Sequence, residues 1–93
     1  MSYRNPKLKQ AARNEQCVAC GAHNGSTVWA HSNSQKHGKG TGIKAHDLFG
    51  AFLCYHCHTE YDSGTSMNRQ EKQEWFREQW ERSMIVACEK GYI

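Results

Sequence analysis

Four cysteines fall into two pairs of identical spacing, Cys17-x-x-Cys20 and Cys54-x-x-Cys57. A C-x-x-C turn lets two thiolates point at one ion, and two such turns complete the tetrahedral set of a structural zinc site. A closed four-cysteine site has no open position, so it staples a fold and hydrolyses nothing itself. A variant with a histidine in place of one cysteine stays open, because His56 and His58 lie inside and directly after the second pair. Six histidines, His23, His31, His37, His46, His56 and His58, are more than such a site uses. An imidazole titrates at about pH 6.5, so it can take a proton or bind a divalent cation at cellular pH. His31 ends the apolar stretch STVWAH, and His58 follows Cys57 directly.

Local elements must bring these residues together. Residues 5–14 suit one or two helical turns, with Pro6 in the first turn and Leu8, Ala11 and Ala12 as a small apolar stripe. Thr27, Val28 and Trp29 favour a short strand. Residues 32–45, SNSQKHGKGTGIKA, form a polar glycine-bearing loop that builds no packed element, and a loop of that length in a small domain is functional or mobile. DLFGAFLC is a second strand, in which Gly50 marks a bend or a close backbone approach. A short helix starts after Cys57. The clearest helix runs over about 68–90, capped by Asn68 with Glu71 three residues on and ended by Gly91. Phe76, Trp80, Met84 and Cys88 recur every four residues along it, with Trp75, Ile85 and Ala87 alongside, which places them in the core and makes Cys88 a buried free thiol.

Length and composition bound the rest. A chain of 93 residues holds one domain, 1–93, with its core at about 15–63. Mean hydropathy is −0.88 and apolar residues make up 38%, so the core is thin and a staple is expected. No apolar run approaches the ~20 residues of a membrane span, and the start MSYRNPKLKQ has no apolar signal core. A cytoplasmic location follows as the expectation, where thiols stay reduced and the five cysteines read as zinc ligands plus one. The net charge of +3 is modest, but its placement is not even. Arg4, Lys7, Lys9 and Arg13 sit in one acid-free stretch and Lys36, Lys39 and Lys44 in another, while the acids gather in the last helix. Both basic stretches flank the cysteine pairs, as a surface facing nucleic-acid phosphates requires, although an ordinary solvated face has the same look.

The order strand–His31, loop, strand, CxxC–His58, helix resembles the zinc-stapled branch of the HNH (His-Me finger) nucleases. Over residues 4–63 the chain is similar to the phage- and prophage-encoded YbcO-like nuclease family, through GKGTGIK, DLFGA and CHxxxD together. The resemblance implies a small α+β zinc-stapled domain with a ββα-metal core, N-terminal helical turns and a C-terminal amphipathic helix. It implies a metal-dependent DNA endonuclease acting in phage DNA recombination or processing, in the cytoplasm of a bacterial host, with a homodimer or a host recombination protein as further partners. His31 would be the general base, and His58 would bind a catalytic Mg²⁺, Mn²⁺ or similar ion. Cys17, Cys20, Cys54 and Cys57 would hold structural zinc. Two departures stand out. Many HNH enzymes have an acid where this chain has Ala30, and Phe49 stands where an asparagine is usual. Asp47, then Asp62, then His46 are the candidates to complete the metal site or orient His31, with Asn33 behind them. Two other readings compete: a noncatalytic zinc module that binds DNA through the basic loop, and an accessory protein that docks on a host protein through the last helix.

Overall fold

The computed structural model describes residues 3–40 and 42–93, so Thr41 of the GKGTGIK motif lies outside the described residues. The first helix, α1, spans Pro6–Ala12, and the Asn5 side chain caps it by accepting from the Lys7 N–H. Strands β1 (Val28–His31) and β2 (Gly50–Leu53) pair antiparallel, with Trp29 opposite Phe52, Ala30 opposite Ala51, and His31 opposite Gly50. Helix α2 (Tyr55–Ser63) leaves β2 directly, and the long α3 covers Arg69–Glu89. The whole is a small α+β arrangement around a two-stranded sheet.

Alternation along the strands divides the core in two. One face carries Ala30, Ala51 and Leu53 and packs with Cys17, Cys54, Cys57, Tyr61 and Phe76. The other carries Trp29 and Phe52 and packs with Leu8, Ala12 and Ala87. Trp29 and Phe52 meet edge to face at 4.8 Å between centroids, and Tyr61 stacks on Phe76 at 4.5 Å. Gly50 is the close approach expected of it: a Cβ there would overlap the Trp29 indole.

The free edge of β2 is closed by other elements. The Phe52 carbonyl accepts from the Val18 N–H at 3.0 Å, and the Phe52 N–H donates to Ser83 Oγ at 3.0 Å. Ser83 is fully buried, which explains a hydroxyl in the middle of a core helix face.

Three local expectations shift. The 32–45 loop is not without structure: it holds a 3₁₀ turn at Gln35–His37 and a bridge between Gly40 and Ile43. Helix α2 starts before Cys57 and not after it, because Cys54 takes extended backbone angles as N-cap and Tyr55 begins the helix. On α3 the capping box of Asn68 and Glu71 forms as expected, but the buried face runs Phe76–Gln79–Ser83–Ala87. A four-residue step overshoots a turn by about 40°, so a pattern begun at Phe76 rotates out of the core. Cys88 is therefore exposed, and Ile85 is 62% exposed.

The Ser83→Ala variant should lose about 1–3 kcal/mol of stability, because it strands a buried strand N–H. Urea denaturation against the parent protein measures this.

Candidate metal centre and active site

The two cysteine pairs meet. Their four sulfurs lie within 4.8 Å of one another, and all four thiols are free. The first pair is shaped by a tight turn in which Gly21 N–H donates to the Cys17 carbonyl and Cys17 N–H to the Ala22 carbonyl, both at 2.9 Å. Gly21 has φ 83°, which a side chain would resist. The second pair sits on the first turn of α2, where the helix N-terminus favours negative charge. Zn–S bonds of about 2.3 Å in a tetrahedron put sulfurs about 3.8 Å apart, and Cys20 Sγ lies 3.6 Å from Cys54 Sγ. Burial raises the Cys17 thiol, but N–H groups of Cys54, Cys20 and Ala19 directed at its sulfur outweigh this and bring its pKa down to about 7. Burial pushes the Cys57 thiol far up, and the neighbouring thiols add to that. The donor set, spacing and N–H support fit a metal ion such as zinc.

His31 ends β1, and its Nε2 lies 2.7 Å from Asp47 Oδ1. Asp47 is itself held from several sides. Its Oδ2 accepts from the Asn5 N–H at 2.6 Å, its Oδ1 from Arg4 Nη1 at 3.1 Å, and its main-chain carbonyl from Trp29 Nε1 at 3.0 Å. Burial would raise the Asp47 carboxyl, but the Asn5, His31 and Arg4 contacts outweigh it and hold the carboxyl below the usual range. An ionised Asp47 requires an N–H on His31 Nε2, so in the neutral ring the lone pair sits on Nδ1. That is the arrangement of an oriented general base.

His58 lies within α2 and pairs with Asp62 one turn on, Nε2 to Oδ2 at 2.9 Å, both partly exposed. His46 accepts the Tyr3 N–H on Nδ1 at 2.8 Å and lies against Gly38, where a Cβ would meet its ring. His37 bonds Ser32 Oγ through Nδ1 at 2.7 Å, and burial with the Lys36 charge lowers its pKa. His23 contacts the Asn14 carbonyl, and His56 is exposed.

The structure thus joins His31 with Asp47 and, separately, His58 with Asp62. Among the described residues, the cysteines are the group of three or more His, Cys, Asp or Glu side chains that converge as metal ligands. Ala30 is buried in the cluster with Cys57 and Tyr61, so no carboxylate stands there. Lys7, Lys9, Arg13, Lys36 and Lys44 are exposed and Lys39 is half-buried. Arg4 differs, because its guanidinium bonds the Ala45 and Lys44 carbonyls and Asp47. Arg4 and Asn5 as holders of Asp47 were not foreseen, since a basic run gives no sign of which cation turns inward. Glu15 was also missed. It is 7% exposed and accepts from Lys90 Nζ at 2.8 Å and Tyr92 OH at 2.7 Å, a pairing of residues far apart in sequence.

Two outcomes follow. Asp47 has a lowered folded-state pKa, so its stabilisation is present above the ordinary carboxylate pKa of about 4 and is lost as pH falls through the folded value. Asp47→Asn should therefore lower the melting temperature clearly at pH 7 and much less at pH 3, as thermal scans across pH measure. Elemental analysis should find about one metal ion per chain, and its removal by a chelator, or Cys17→Ser, should lower the melting temperature by about 10 °C or more.

No curated protein and no solved structure matches the chain. A family model described as "Putative nuclease YbcO" matches residues 6–92. That match takes in both cysteine pairs, His31 with Asp47, and α3, so the chain belongs to the YbcO family of that description.

Proposed function

We propose that this protein is a metal-dependent DNA endonuclease of HNH type, one domain over residues 1–93, in which His31 is the general base. The single observation that carries the reading is the 2.7 Å contact between His31 and Asp47, beside membership of a nuclease family. Asp47 orients the ring, and Nδ1 of His31 takes a proton from water as the water oxygen attacks phosphorus. The P–O3′ bond breaks on the opposite side, and the leaving oxygen takes its proton from solvent. His58 and Asp62 would hold the catalytic cation, a Mg²⁺ or Mn²⁺ ion, which when bound stabilises charge on the leaving oxygen. Zinc at the four cysteines would keep β2 and α2 in place. The exposed Lys7, Lys9, Arg13, Lys36 and Lys44 would contact the DNA backbone. The chain order β1, β2, α2 agrees with a ββα-metal core. In this reading the protein works in the cytoplasm of a bacterial host, in phage DNA recombination.

A noncatalytic DNA-binding zinc module is favoured by one observation, the apolar Ala30 where the resembled enzymes have an acid. The same experiment decides between the two. Purified protein is incubated with plasmid, single-stranded and branched DNA in Mg²⁺, in Mn²⁺ and without divalent ion. Cleavage should need the ion and should fall about 10²–10⁴-fold in His31→Ala while DNA binding persists. No cleavage of any substrate in any ion would leave the binding module.

A further inference from the structure

A cleft of about 770 Å³ opens between residues 32–37 and the first three turns of α3, within the size range of ligand pockets. None of the four cysteines lines it, although Tyr61 and Phe76 in its wall also pack in the cluster with Cys17, Cys54 and Cys57. Its walls carry three cations, Lys36, Arg69 and Arg77, against one carboxylate, Glu74. That carboxylate already accepts from the Gln70 amide at 3.2 Å. Arg77 makes a long ion pair through Nε with Glu81 at 3.8 Å, and its side chain is 76% exposed, so the outer nitrogens of its guanidinium face solvent. Arg69 is the first residue of α3, where the helix dipole disfavours a cation and folding alone gives no reason for one.

The remaining wall is aromatic and held in place. The His37 ring lies flat on Phe49, 4.1 Å apart and 7° from parallel, and Phe49 leans on Trp80 at 5.7 Å. His37 is fixed by Ser32 Oγ, and Trp80 by donating Nε1–H to the Leu48 carbonyl at 2.6 Å. Rings that are already ordered lose little freedom on binding. Flat aromatic surface beside guanidinium and ammonium groups matches the two parts of a nucleotide, a base face and a phosphate.

We propose that this cleft receives an unpaired nucleotide of a DNA strand, with its base against the His37, Phe49 and Trp80 wall and its phosphates against Arg69, Arg77 and Lys36. A base inside a duplex has both faces covered by its neighbours, so the cleft selects single strands, flaps or junction arms. Ser32, in the cleft wall, is the next residue after His31. The assignment rests on the nuclease reading and specifies its substrate class.

Fluorescence anisotropy tests it with a labelled oligothymidylate and a labelled duplex of equal length, in the His31→Ala protein without added divalent ion. That protein should prefer the single strand. Adding Arg69→Ala and Arg77→Ala together should weaken oligothymidylate binding by about tenfold or more and duplex binding by less than about twofold. Both arginines are exposed, and circular dichroism should show the fold unchanged. Equal losses on both nucleic acids, or no loss on either, would overturn the cleft assignment. A protein that cleaves nothing yet shows the arginine-dependent preference keeps the cleft and loses the nuclease reading. An active nuclease without that preference loses the cleft alone.

Discussion

The meeting of four thiols joins the turn before β1 to the start of α2. A two-stranded hairpin of four pairs is marginal in water, and here its two faces are covered by separate small clusters. The Cys17–Cys20 turn is fixed on several sides at once. Its sulfurs meet the start of α2, Val18 N–H donates to β2, and the Val18 carbonyl accepts from Arg82 at 3.1 Å. Two residues before it, Glu15 receives Lys90 and Tyr92. Burial works against the Glu15 charge, but those two donors lower its pKa. A bound metal contributes on the order of 10 kcal/mol in small zinc modules, comparable to the whole stability of an ordinary domain. Every position that depends on β2 and α2, including His31 through its pairing with Gly50, inherits that constraint.

A second network ties the chain ends to the candidate base. Asn5 caps α1 with its side-chain oxygen, gives its main-chain N–H to Asp47, and donates Nδ2 to the Tyr92 carbonyl at 2.8 Å. Arg4 bonds the same carboxylate. The segment before α1 is therefore part of the His31 setting and not only a basic arm. This carries a consequence for charge arguments: of the cations that look alike in sequence, Arg4 orders the site internally, while Lys7, Lys9 and Arg13 face solvent.

Much of the frame was legible because it depends on local rules. The cysteine spacing, the Asn68–Glu71 cap and the Pro6 helix start each express short-range geometry, and each appears in the structure. What escaped depends on rotation or on distance along the chain. The α3 stripe was placed on a four-residue repeat, and the accumulated turn carried Cys88 out to solvent. Asp47 was named as a partner for either the metal or His31, and only tertiary structure could show Arg4, Asn5 and Trp29 gathered on it. The Glu15 ion pair joins residues 75 positions apart, and no periodicity reports such a contact.

The absence of an acid at residue 30 takes on meaning from strand alternation. Ala30 points to the face shared with Cys57, Tyr61 and Phe76, where a charged group would be buried among apolar neighbours at high cost. His31 points the other way and meets Asp47, which is paired, hydrogen-bonded and ionised. The carboxylate nearest the candidate base therefore acts on the tautomer of that base. The second carboxylate, Asp62, serves His58 in a more exposed setting. In the proposed nuclease each histidine then has its own acid, so loss of Asp47 would weaken the base and loss of Asp62 would weaken cation binding. Two such variants would separate along different axes, one in pH dependence and the other in ion concentration, and that division follows from which way residues 30 and 31 face.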